Sequence, residues 1–226
     1  MSVNLSAYNK IKEQLKPYGA KLVAVSKIKP AADIQALYNT GQLIFGENYV
    51  QELEEKQALL PADIQWHFIG HLQSNKVKYI APFVTMIHAV DSMKLLEEIN
   101  KQAARFNRTI QCLLQVHIAE EETKFGLSDK ELEQLLEQYT KQQQTLPNIE
   151  IAGLMGMATN TDNVEQIRKE FHHLKTLQQS LRARFFADKD TFKELSVGMS
   201  GDYTIALEEG STMVRIGSML FGARIS

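Results

Sequence analysis

Cysteine is nearly absent: Cys112 is the only one in 226 residues. One thiol excludes an intrachain disulfide framework and a cysteine metal site. No sign of charge dominates, since 25 Lys and Arg face 27 Asp and Glu, a formal net charge of −2. No basic run with interleaved aromatics occurs, so the footprint of a dedicated nucleic-acid surface is missing. No apolar stretch approaches the roughly 20 residues of a membrane span, and the N-terminus has no secretory apolar region. The expectation is a cytoplasmic, monomeric protein with neither nucleic-acid nor membrane partners. A G-x-G-x-x-G after the first strand is also lacking, which lowers the dinucleotide-binding class.

Alternation of strand and helix patterns runs from end to end. Strands are expected near 20–26, 43–46, 64–69, 84–90, 109–118, 149–155, 193–197 and 213–217, with an opening amphipathic helix over 2–17. Pro30 reads as the first residue of a helix that Gly41 ends at C′. Ser92 or Asp91 caps a helix with Met93, Leu96, Ile99, Ala103 and Phe106 on one face. Ser128 caps another, with Glu131 completing a capping box. The longest helix is expected over about 162–185, starting its stripe at Val164. Eight strands with crossover helices imply a parallel sheet. The fold class is therefore α/β, a single (β/α)8 barrel over 1–226, with an open doubly wound sheet as the alternative.

In such a barrel, chemistry belongs at the C-terminal strand ends. The first strand ends in Ser26-Lys27, behind four apolar residues and beside Lys29. Desolvation and like-charge repulsion both favour a neutral amine there, the form that attacks aldehydes. The segment also reads as a solvated lysine at a strand exit, and by itself does not choose. After strands seven and eight come Ser200-Gly201 and Gly217-Ser218, each before a short helical stretch. Loops at these places often hold phosphate, although both serines also read as plain helix N-caps. An amine for an aldehyde beside a phosphate cup suggests pyridoxal 5′-phosphate.

Five blocks carry a family likeness. They are Val23-Ala24-Val25-Ser26-Lys27-Ile28-Lys29-Pro30; Phe45-Gly46-Glu47-Asn48-Tyr49-Val50-Gln51-Glu52; Trp66 to Lys76; Leu195 to Asp202; and Gly210 to Gly217. Together and in this order they resemble the pyridoxal-phosphate homeostasis protein family, once labelled proline synthetase co-transcribed. The resemblance implies a barrel like the N-terminal domain of alanine racemase, without that enzyme's second domain. It implies a vitamin B6 and amino-acid homeostasis role, with pyridoxal phosphate held by Lys27 as a Schiff base and no established turnover. It places Ser200, Gly201, Gly217 and Ser218 around the phosphate, Arg215 beside the pyridine nitrogen and Asn48 beside the ring. His71 would line the pocket without a catalytic role. Implied partners are free amino acids and apo enzymes that use the cofactor. Departures are small: Ile28 stands where threonine is common, Ser218-Met219-Leu220 replaces Thr-Ala-Ile, and Gly201 replaces a larger residue.

Other functions are weighed against this. A racemase-like enzyme is the main alternative. It needs an acid/base on each face of the substrate carbon, and the chain reaches Ser226 soon after strand eight, without the racemase's second domain and its tyrosine. A permanent cation at Arg215 also disfavours a protonated ring nitrogen. A lysine aldolase would share the amine and the anion cup but show no visible chromophore. His67, His71, His88 and His117 hint at a metal hydrolase, but the first strand offers no ligand, so no metal is expected. Glu120-Glu121-Glu122 reads as a solvated loop at the pocket rim, and Glu47 as support for Asn48.

Overall fold

The computed structural model describes residues 3–121 and 124–222. Its strands are β1 (Lys21–Val25), β2 (Ile44–Glu47), β3 (Gln65–Phe68), β4 (Met86–Val90), β5 (Ile110–Gln115), β6 (Ile149–Met155), β7 (Glu194–Ser196) and β8 (Met213–Ile216). Each pairs in parallel with the next, and β1 pairs with β8, so the sheet closes as a barrel. All eight expected strands and the expected (β/α)8 architecture form.

Helix α1 (Leu5–Leu15) precedes the barrel. The crossovers are α2 (Ala31–Tyr38), α3 (Val50–Leu59), α4 (Val77–Ile80), α5 (Met93–Ala104), α6 (Asp129–Gln142), α7 (Val164–Phe185) and α8 (Tyr203–Glu208), and α9 (Ser218–Phe221) follows β8. Residues of β1 show how alternation builds two cores. Val23 joins an inner cluster with Met86, Ala89, Leu113, Ala152, Met155 and Met213. Leu22 and Ala24 face the larger layer between strands and helices, with Ile34, Phe45, Trp66 and Phe171. Complete burial of each large side chain there contributes about 1.5–3 kcal/mol.

Several boundaries differ from the sequence expectation. The opening helix covers less than 2–17, since Leu15 gives way to a 3₁₀ turn, Lys16–Tyr18, closed by Gly19 at φ +61°; Ser2 lies outside the described residues. Pro30 is the N-cap of α2, with extended ψ 153°, rather than its first helical residue. Gly41 sits one place beyond C′, because the helix closes early: Asn39 N–H donates to Gln35 O and the Thr40 hydroxyl to Leu37 O. Gly41, at φ +97°, then returns its N–H to Tyr38 O. Strand five stops at Gln115 because the chain turns back, and Val116 bridges Leu127. Phe106 and Val164 leave their expected apolar faces and are exposed. The Ser92 cap and the Ser128–Glu131 capping box form as expected.

Candidate functional site

The C-terminal barrel mouth holds a cavity of about 300 Å³. Seven of the eight expected site residues line it: Lys27, Asn48, Ser200, Gly201, Arg215, Gly217 and Ser218. Barrel closure explains this, since β1 lies between β2 and β8. Val25 is level with Gly46, and Ala24 with Ile216. The ends of the three strands thus bring Lys27, Asn48 and Gly217 to one rim. Val25, Ile69, Met157 and Met199 add apolar wall.

His71 is the exception. It lies in the adjoining grooves, which Asn48 shares on one side. Its ring stacks on Phe125 with centroids 4.8 Å apart, and Nδ1 lies 3.7 Å from Asp91 Oδ2. The β3 loop carries His71 outward over the rim, where it meets the loop after β5. Glu122 of the acidic run lies outside the described residues. Glu121 pairs with Lys124 at 2.7 Å and accepts from Asn160 N–H, so its carboxylate is not simply solvated.

Lys27 is partly buried in a tight turn rather than at the strand terminus itself. Lys29 N–H donates to Ser26 O at 3.1 Å and closes the turn, with Ile28 at φ +60°. A β-branched residue in that region is a true outlier. The Lys29 side chain bends away, donating to Phe221 O at 2.8 Å and Gly222 O at 3.2 Å. Glu47 does not support Asn48 as expected. Its fully buried carboxylate bonds Ser26 Oγ and Lys56 Nζ. Burial raises its pKa, with Lys56 and Ser26 opposing.

The loops after β7 and β8 form the other wall. Asp202 and Gly217 occupy the N-cap positions of α8 and α9, so neither Ser200 nor Ser218 is an N-cap. Asp202 Oδ1 accepts from Met199 N–H at 2.5 Å and shapes the first loop. The N–H groups of Ser200, Gly201, Ser218 and Met219 have no protein acceptor among the described residues. Two glycines are required by close approach. A Cβ on Gly198, at φ +96°, would lie 2.6 Å from Ala206 Cβ, and one on Gly70 would lie 2.3 Å from Asn48 O.

Arg215 forms the buried floor. Its guanidinium donates to Ser196 O (2.6 Å), Ser196 Oγ (2.7 Å) and Gly156 O (3.0 Å). Burial lowers its pKa to about 10, with Asp202 opposing, so it remains a cation at neutral pH. Beyond it, Ser196 Oγ lies 3.0 Å from His88 Nδ1, and His88 Nε2 lies 2.9 Å from His67 Nδ1. The two histidines are thus bonded to one another, and the described residues hold no group of three or more possible metal ligands. Ser196, Gly156, Lys56 and Glu52 were not legible as site-supporting residues. Only the Glu52–Lys56 spacing of four on a helix gave a signal.

Burial and the charge of Lys21 lower His67 to about 3, and burial, His67 and Arg215 hold His88 well below its usual value. Unfolded histidine titrates near 6.5. Below that pH the unfolded chain binds protons that the folded chain refuses, so stability falls with pH. For His67 the loss runs from about 6.5 to about 3, at about 1.4 kcal/mol per unit. Urea titrations at pH 7 and 5 should show the protein losing about 2 kcal/mol more than a His67→Gln variant. Equal losses would mean that His67 is not held neutral.

Comparison with known proteins gives a consistent result. The alanine racemase N-terminal domain family matches residues 6–225. A pyridoxal phosphate homeostasis protein of Aquifex aeolicus is 42% identical over 206 residues, covering 91% of this chain and 87% of that relative. The structure of PipY from Synechococcus elongatus with PLP bound superposes with a TM-score of 0.86 at 35% identity, covering 96% and 99% of the two chains. Alanine racemase from Streptomyces coelicolor shares the fold, with a TM-score of 0.75 at 16% identity over 99% of this chain and 60% of that one. Barrel, strand-end loops and sequence blocks therefore agree: the chain belongs to the pyridoxal phosphate homeostasis protein family, built on the alanine racemase N-terminal domain.

Proposed function

We propose that this chain binds pyridoxal 5′-phosphate reversibly and serves as a cytoplasmic carrier or buffer of it, in vitamin B6 and amino-acid homeostasis. One observation carries the reading. A single cavity is lined by Lys27, a buried guanidinium and two loops with open N–H groups and hydroxyls. These residues suit the cofactor's parts. The turns after β7 and β8 offer Ser200, Gly201, Gly217 and Ser218 to a phosphate. Asn48 lines the same cavity, and its Oδ1 is buried without a partner among the described residues. When bound, the cofactor supplies an aldehyde that condenses reversibly with amines.

The chain's own residues favour holding over turnover. Arg215 presents a permanent cation at the cavity floor, which disfavours a second positive charge on a bound ring. His71 is a rim residue, placed to meet molecules that approach the mouth. Free amino acids and apo enzymes that need the cofactor are the proposed exchange partners. The barrel, residues 1–226, is proposed to act as one domain and as a monomer. Among the described residues no helix is long and apolar enough to cross a membrane.

The test is transfer. Loaded protein mixed with an excess of an apo pyridoxal-phosphate enzyme should restore that enzyme's activity. A rate above that of cofactor release into buffer means direct delivery, and an equal rate means passive buffering. Retention of the cofactor through long incubation with a competent acceptor would overturn the carrier role.

A further inference from the structure

Outside the cavity, a buried ionic cluster grips both flanks of the Lys27 turn. The Ser26 hydroxyl donates to Glu47 Oε1 at 2.6 Å, and its carbonyl accepts from Lys56 Nζ at 2.7 Å. Ile28 N–H donates to Glu52 Oε1 at 2.6 Å. Lys56 Nζ also reaches Glu47 Oε1 at 2.7 Å and Glu52 Oε1 at 2.6 Å, so its three protons are all engaged. Lys27 is the one residue between the two grips.

The cluster is a poor investment for stability alone. Lys56 and Glu47 are buried on α3 and β2, their side chains 7% and 0% exposed. Desolvating such a pair costs several kcal/mol per ion, and apolar residues of equal volume often stabilise as well. Glu47 Oε2 is left without a partner among the described residues. The grip also maintains Ile28 at φ +60°, a conformation that persists only where its surroundings over-determine it. Both costs converge on the orientation of one side chain.

We propose that Lys56 and Glu52 are positioning residues for Lys27, fixing the turn so that its amine enters the cavity at the angle needed to condense with an aldehyde. This rests on the reading of Lys27 as the cofactor lysine. In that step the Lys27 nitrogen adds to the aldehyde carbon, a C=N bond replaces C=O, and the oxygen leaves as water with the two amine protons. Neither Lys56 nor Glu52 touches the reacting atoms. Their contribution is to the geometry of attack, so it belongs to the covalent step and not to recognition of the phosphate or ring.

Two probes separate these. Pyridoxal 5′-phosphate reports both binding and condensation, through the visible absorbance of the lysine adduct. Pyridoxine 5′-phosphate, an alcohol in place of the aldehyde, reports binding alone. Glu52→Ala, at a partly exposed position, should slow adduct formation about tenfold or more, with pyridoxine phosphate affinity changed less than about twofold and the melting temperature nearly kept. Lys56→Met should do the same. Should its unpaired Glu47 prevent folding, Lys56→Met with Glu47→Gln removes both buried charges and takes its place. Parallel losses for both probes would make the cluster mere scaffolding, and unchanged adduct formation in Glu52→Ala would overturn the proposal outright. A native chain that forms no adduct fails the carrier reading instead, which is a separate outcome.

Discussion

A Lys27→Ala chain incubated with pyridoxal phosphate and then borohydride should retain no cofactor, while the native chain retains about one equivalent on the peptide containing Lys27. The amine that borohydride would lock is removed, and no neighbour is placed to replace it. Lys29 lines the same cavity, but its amine is directed to the carbonyls of Phe221 and Gly222. Lys76 lines the adjoining groove rather than the cavity. The phosphate loops are untouched in this variant, so affinity for pyridoxine phosphate should survive. Peptide mapping decides: an adduct mainly on Lys29 or Lys76, or reduction with no adduct, would contradict the assignment.

Replacing Ser200 and Ser218 together by alanine should weaken pyridoxal phosphate by about 100-fold or more, since each hydrogen bond to a charged group is worth roughly 1.5–3 kcal/mol. Unphosphorylated pyridoxal should be affected far less. Two facts motivate the pair. Neither serine is a helix cap, so neither hydroxyl is needed to finish a helix. Both lie on the same cavity wall, from loops that the β7–β8 pairing sets side by side. Competition binding with the two ligands separates the cases, and equal weakening would place the phosphate elsewhere.

The strand order was legible because it rests on composition along the chain. A β-branched run such as Leu22 to Val25, repeated eight times between helical stripes, leaves little room for another architecture. The cavity residues on strand ends were legible for the same reason: once the barrel is assumed, the loop after each strand faces one mouth. Topology brings Lys27, Asn48 and Ser218 to one mouth, while it was the family resemblance that singled out Asn48 and Arg215, the latter inside β8, as site residues. His71 escaped because a position in a loop block does not fix which way the loop bends. Phe125, distant in sequence, draws its ring outward. Glu47 was misjudged because adjacency in sequence is not contact: Asn48 lies beyond the strand, while the Glu47 carboxylate turns to Ser26 and Lys56. Helix ends were misplaced by a residue or so, where side chains such as Thr40 compete for the last carbonyls.

The row from Arg215 through Ser196 and His88 to His67 admits two orders of protons. Arginine can only donate, so Ser196 Oγ accepts from it. The serine keeps a second lone pair, so it either donates to His88 Nδ1 or accepts from it. If it donates, the His88 Nε2 hydrogen goes to His67 Nδ1; if it accepts, the His67 Nδ1 hydrogen goes to His88 Nε2. Reversing one of these two links alone sets two hydrogens, or two lone pairs, against each other among buried side chains. The four positions are therefore yoked in descent. A mutation at His88 is tolerable only if its replacement meets both Ser196 and His67 with one donor and one acceptor, or if its neighbours change in the same lineage. Among relatives, these positions should vary as a block, and a chain that has lost one member should carry its compensation at the next.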